Sequence, residues 1–158
     1  MIELTTGIVF LLTSMYGSGV ATGDTLDVQP LSANLEGNQA QIARAVERAE
    51  LENYLKENFA DTPILIEIAK CESELRHFDS NGNIVRGRVD RNDVGVMQIN
   101  ERYHLENAKK LGFDIHTVEG NVAYAKYLYE KYGSEPWKAS SPCWSKTAVA
   151  KEEALAKK

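Results

Sequence analysis

Several things are scarce in this sequence, and each shortage removes a class of function. Basic residues are not in excess: 18 Lys and Arg stand against 23 Asp and Glu, for a net charge of −5. Without a large basic surface nothing draws in a phosphate backbone, so nucleic acid is excluded as a partner, while the acidic balance says little about a neutral or mixed-charge glycan. A long apolar run is also missing. The stretch from Thr6 to Ala21, with Ile8-Val9-Phe10-Leu11-Leu12 at its centre, is shorter than the roughly 20 apolar residues a membrane span needs. No internal repeat is present. Calcium-loop spacing is absent too: Asp79-Ser80-Asn81-Gly82-Asn83 has suitable residue types, but Gly82 follows Asp79 too closely for an EF-hand.

Cysteine is limited to Cys71 and Cys143. In an exported chain such a pair suggests one disulfide closing a long loop; otherwise the two are buried free thiols. Export is the expectation from residues 1–22, which resemble a signal peptide with small residues at Gly17-Ser18-Gly19-Val20-Ala21, although Glu3 stands where a basic residue is usual. An N-terminal anchor with membrane association is the other form of the same expectation, and a buried first segment is the alternative. As signal or anchor, the segment implies a periplasmic or extracellular localisation.

At 158 residues the chain has room for one domain with a real core and too little for two. Residues 23–40, with Pro30 and Gly37, read as a linker, residues 41–146 as the domain and residues 147–158 as a charged tail, either a solvated helix or a frayed end. Helical pattern runs from Gln41 to Phe59. Asp61-Thr62-Pro63 then marks a new helix start. From Pro63 to about Ser73, Leu65, Ile68, Ala69 and Glu72 recur at helical spacing, which puts the Glu72 carboxyl on the apolar stripe. Asn81-Gly82 is a hairpin tip, and residues 84–89 partly alternate as a short strand. Helices are expected over Glu101–Leu111, stopped by Gly112, and over Glu119–Tyr132, stopped by Gly133. The fold class expected is mainly α with a small β excursion.

Two clusters carry chemistry. A glycosidic oxygen leaves poorly as an alkoxide, so a cutting enzyme must protonate it, and a carboxylic acid does so near neutral pH only if its pKa is raised. Partial desolvation on an apolar stripe favours the protonated form of Glu72; a salt-bridged structural Glu is the alternative. In Asp93-Val94-Gly95-Val96-Met97-Gln98-Ile99-Asn100, Gly95 permits close approach of a ligand, Gln98 and Asn100 offer amides to N-acetyl and hydroxyl groups, and Met97 offers a soft surface for a sugar ring. The alternative is a strand or loop entering the core through Val96, Met97 and Ile99.

Ala69-Lys70-Cys71-Glu72-Ser73, then Gly95-Val96-Met97-Gln98-Ile99-Asn100, then Asn121-Val122 leading to Tyr127-Leu128, resemble in order, type and spacing the Glu-Ser, Gly-x-Met-Gln-Ile and Asn…Tyr-Leu elements of the lysozyme-like lytic transglycosylases. The resemblance spans about Asp61 to Trp144. It implies a lysozyme-like α+β fold, a helical body with a small β-hairpin lobe flanking a glycan cleft. It implies Glu72 as general acid and base, and Ser73, Met97, Gln98 and Tyr127 at or near the glycan. Asn121 is as readily structural. Two departures stand out. The family's Ala-Tyr-Asn-Ala-Gly segment is replaced by Trp137-Lys138-Ala139-Ser140-Ser141-Pro142-Cys143-Trp144; Trp137 reads as core, and Trp144 as core or as a sugar platform. Asp93 occupies the place of the second catalytic carboxylate of c-type lysozymes, whose Asp-Tyr-Gly-Ile-Leu-Gln-Ile-Asn segment is similar here.

The activity expected is therefore a lytic transglycosylase on peptidoglycan strands, acting as a monomer with no cofactor and no metal. A hydrolytic muramidase using Glu72 and Asp93 is the runner-up, and a glycan-binding module without turnover is the third reading.

Overall fold

The computed structural model describes residues 31–156, with side chains from residue 37 onward. The expected signal or anchor segment and residues 23–30 of the expected linker lie outside the described residues. No described helix is long and apolar enough to cross a membrane.

The chain is mainly helical. Helix α1 (Leu31–Asn58) starts well before Gln41, so much of the expected linker is helical: Gly37 is tolerated in a long helix rich in Ala, Leu, Glu, Gln and Arg. Its residues 37–50 are exposed, and only its last turns, through Leu55 and nearby Phe59, enter the core.

Helix α2 (Ile64–Ser73) follows the predicted stripe: Leu65, Ile68 and Ala69 are fully buried. Each large aliphatic side chain removed from water here contributes about 1.5–3 kcal/mol. The helix start differs from expectation. Pro63 is the cap position and no side chain caps it; the Thr62 hydroxyl is buried without a partner among the described residues. The helix ends abruptly. Glu74 and Leu75 both take left-handed backbone (φ 57° each), which costs a non-glycine residue roughly 1–2 kcal/mol. Burial of Leu75 and the capping of this turn by Ser73 offset the cost.

The expected strand over residues 84–89 is broken into isolated bridges, Phe78 to Ile84 and Arg86 to Val94. The one two-stranded sheet among the described residues pairs β1 (Asp93–Val94) antiparallel with β2 (Ile99–Asn100), Asp93 opposite Asn100 and Val94 opposite Ile99. Helix α3 (Glu101–Lys110) is N-capped by Asn100, and α4 (Val118–Tyr132) by Thr117 with Gly133 closing it, within a residue of the sequence boundaries. A 3₁₀ segment (Glu135–Ser140) runs into the short α5 (Ser141–Trp144), and α6 (Ala148–Ala156) ends the fold. Residues 148–156 are more than a solvated tail. Val149 and Ala150 pack against the core, and Tyr129 donates to Glu153.

Cys71 in α2 and Cys143 in α5 form the expected disulfide. It closes a loop with a sequence separation of 72, long enough to contribute about 4 kcal/mol by restricting the unfolded chain.

Candidate active site

The end of α2, the turns over residues 79–91, β1 and the 3₁₀ segment enclose an open groove of about 1030 Å³. Glu72, Ser73, Asp93, Gln98 and Ser140 all line it. Glu72 arrives there because it lies one turn beyond the buried Ile68 and two beyond the buried Leu65, at the point where the apolar stripe meets the groove. It is half-buried, and its carboxyl sits above the ordinary carboxylate range, chiefly through burial. A hydrogen bond from Ser140 works in the opposite direction, and the charge of Asp93 raises the pKa further.

Ser140 was not foreseen from sequence. Its hydroxyl is 2.6 Å from Glu72 Oε1 and 3.0 Å from the carbonyl oxygen of Trp137. It also accepts from Trp144 Nε1 at 3.0 Å. With one hydrogen to donate, the hydroxyl can point to Glu72 when that carboxyl is ionised and swing to the Trp137 carbonyl when it is protonated. The arrangement serves both proton states of one carboxyl. The signal that could have pointed to Ser140 is the disulfide: Cys143 fastens that segment to the residue next to Glu72.

Asp93 is held differently. Its Oδ1 accepts from the amide of Asn100 at 2.8 Å. Burial raises its pKa first, the Asn100 amide lowers it, and nearby Asp90 raises it. The Asn100 nitrogen that faces it can only donate, because the amide oxygen caps α3, and this bond favours the ionised form.

Several residues expected to touch a ligand are occupied elsewhere. Met97 is fully buried, so it offers no surface to a sugar; it is packed in the core while its backbone serves Asn121 and Trp137. Gly95 (φ 74°) admits the protein's own side chains and no ligand: an added Cβ would lie 2.6 Å from both Asn121 Nδ2 and His77 Cε1. Ser73 reaches the groove, but its hydroxyl bonds the Ala69 carbonyl and the Arg76 amide. Asn100 caps α3 and holds Asp90 and Asp93. Trp144 is buried, its indole donating to Trp137 and Ser140, and Trp137 is core as expected. Tyr127 does not reach the groove. It stacks on Tyr124 with centroids 5.6 Å apart and lines a separate pocket of about 280 Å³ with Phe113 and Lys126. Gln98 remains at the groove, its amide donating to the Gly95 carbonyl at 2.8 Å.

Two buried groups brace this arrangement, both far from one another in sequence. Asn121 accepts from Met97 N–H and donates to the Val94 and Ile115 carbonyls. His77 accepts from Val96 N–H at Nδ1, so Nε2 carries the proton towards the His116 carbonyl; burial holds its pKa below the ordinary value and keeps the ring neutral. Among the described residues, no group of three His, Cys, Asp or Glu side chains comes together as a metal site. The chain matches no family model, no curated protein and no solved structure.

Proposed function

We propose that this chain is a glycan-cleaving enzyme in which Glu72 is the general acid. The observation that carries the reading is a half-buried carboxyl, raised by burial, lining an open groove with a second carboxyl and a hydroxyl partner suited to both of its proton states. A binding module would need none of these features.

Within that class, the particular reading is a lytic transglycosylase of lysozyme-like fold, the groove being its glycan cleft and peptidoglycan its substrate. Glu72 protonates the oxygen linking N-acetylmuramic acid C1 to N-acetylglucosamine, and the C1–O bond breaks. The resulting carboxylate takes the proton of the muramic C6 hydroxyl, whose oxygen bonds to C1 and forms a 1,6-anhydro end. Glu72 finishes as it began, protonated. Ser140 can follow this cycle by turning its hydroxyl hydrogen, and Asp93 supports the positive charge that develops at C1. Support also comes from the Glu72-Ser73 and Gly95 to Ile99 segments and their spacing. The chain would be exported to meet its substrate.

Asp93 favours a second reading. A carboxylate in the same groove is what a hydrolytic muramidase uses as nucleophile or charge partner. Incubating purified peptidoglycan sacculi with the chain tests the common ground of the two readings. Release of soluble muropeptides is expected; intact sacculi at enzyme concentrations where the chain is folded would contradict both.

A further inference from the structure

The turn that carries the groove's other lip has charge that the cleavage chemistry does not use. It is built to hold its shape. Gly87 N–H donates to the Asp93 carbonyl at 2.9 Å, and a Cβ at Gly87 would lie 2.3 Å from the Asp90 carbonyl oxygen, so the turn closes only around glycine. The Asp90 carboxylate is directed to Asn92 and Asn100, accepting at 2.9 Å from Asn92 N–H and at 2.9 Å from the Asn100 amide. Arg86 pins the far side by donating to the Arg91 carbonyl at 2.9 Å.

This frame presents Arg88, Val89 and Arg91 outward; Val89 has 101% of its reference exposure. The groove's other charges are largely answered. Arg86 pairs with Glu101 at 2.7 Å, Arg76 lies 3.7 Å from Glu74, and Asp79 accepts from the N–H groups of its own turn. Arg88 and Arg91 line the groove, yet neither has a carboxylate within ion-pair distance among the described residues. Asp90 lies between them in sequence and offsets part of their charge, but its oxygens face the amides. A chain of net charge −5 thus keeps two uncommitted guanidinium groups at the edge of its groove.

We propose that Arg88 and Arg91 form an anion subsite that takes a carboxylate carried by the glycan strand, with Val89 as an apolar contact beside it. Guanidinium groups bind carboxylates through paired N–H donors, and a rigid turn reduces the entropy lost on binding. The proposal rests on the glycan-cleaving reading and adds the substrate's charge: strands bearing carboxylates are preferred over neutral N-acetylglucosamine polymers. Two sources supply that group, the lactyl ether of an unsubstituted muramic acid and the peptide stem attached to it.

Binding measured on the full chain carrying Glu72→Gln separates this subsite from turnover. Three probes are compared: strands with peptide stems, strands stripped of stems, and neutral N-acetylglucosamine oligomers. Replacing Arg88 and Arg91 with Gln is expected to weaken binding of carboxylate-bearing strands about two- to fivefold per arginine. The loss should shrink in high salt, because exposed charges are screened. Neutral oligomers should not respond, and Arg88→Lys with Arg91→Lys should recover only part of the lost affinity, because lysine keeps the charge but not the paired donors. A loss on stem-free strands alone assigns the lactyl carboxylate, which a stem otherwise ties up as an amide; a loss on stem-bearing strands alone assigns the stem, and a loss on both assigns a subsite that accepts either carboxylate. Unchanged affinity for every probe, or an equal loss on neutral oligomers, overturns the subsite. Either result leaves the role of Glu72 to be judged separately, on sacculus cleavage by the chain with that residue intact.

Discussion

The two lips of the groove are built by different means. On one side Glu72 ends a helix whose apolar stripe is fully buried, and the disulfide beside it binds that helix to the segment carrying Ser140. On the other, Asp93 sits in a two-residue strand at the base of a turn held by glycine, Asp90 and Asn100. The partners differ in the same sense. A hydroxyl can donate or rotate away, whereas the Asn100 amide nitrogen only donates, its oxygen being held by the Arg102 N–H. Glu72 is therefore equipped to lose and regain a proton, while Asp93 is equipped to remain an anion. One groove can thus hold two raised carboxyls and assign them different work.

The largest test of this contrast is Glu72→Gln. The amide keeps the shape and can still accept from Ser140, but cannot deliver a proton. Sacculus cleavage should fall by at least about a hundredfold, the usual scale of a general acid, with the far-ultraviolet circular dichroism unchanged. The same variant reports on the raised pKa. Because the folded state holds the Glu72 pKa above its unfolded value, ionising it costs stability as pH rises through the folded pKa, and nothing below the unfolded value. Glu72→Gln should be the more stable protein at neutral pH, with the difference vanishing in acid; denaturant titrations at the two pH values measure it.

Removing the covalent tie on the Glu72 side comes next. Cys71→Ser with Cys143→Ser should lower unfolding free energy by about 4 kcal/mol. Activity per folded molecule should fall too, because the segment carrying Ser140 loses its anchor. Asp93→Asn is expected to reduce the cleavage rate only about tenfold, equivalent to ~1.4 kcal/mol of transition-state support. A loss as large as that of Glu72→Gln would make the two lips equal partners and favour hydrolysis. The smallest effect is assigned to Ser140→Ala, about two- to tenfold in rate. Its signature is a pH profile: Ser140 lowers the Glu72 pKa, so its removal should move the alkaline limb of kcat/KM to higher pH. A rate loss with an unmoved limb would reduce Ser140 to a packing residue.

What could be read from the sequence followed from local physics. Helices α2, α3 and α4 were legible because their signals are written within a few residues: the Leu65 to Glu72 stripe lies inside α2, and Gly112 and Gly133 follow the ends of α3 and α4. The start of α1 was not, because Gly37 and the polar run before Gln41 have no apolar period. The contacts that settle roles were illegible. Met97 looked like a ligand surface until Asn121, placed 24 positions further on, took its backbone amide and the core closed over its side chain. Tyr127 faces away from the groove because the helix rotates it towards Phe113 and Tyr124. Ser140 meets Glu72 across a separation of 68 residues, and no period or cap encodes such a meeting.

The central claim is that Glu72 alone carries the proton in both halves of the reaction, with Asp93 as a fixed charge. End-group analysis by mass spectrometry of muropeptides released by the native chain and by Asp93→Asn tests it most directly. The account predicts 1,6-anhydromuramic ends from both, each fragment one water lighter than a hydrolysed one, with the variant merely slower. Reducing ends from the native chain, together with an inactive Asp93→Asn, would contradict it and make Asp93 a partner in hydrolysis.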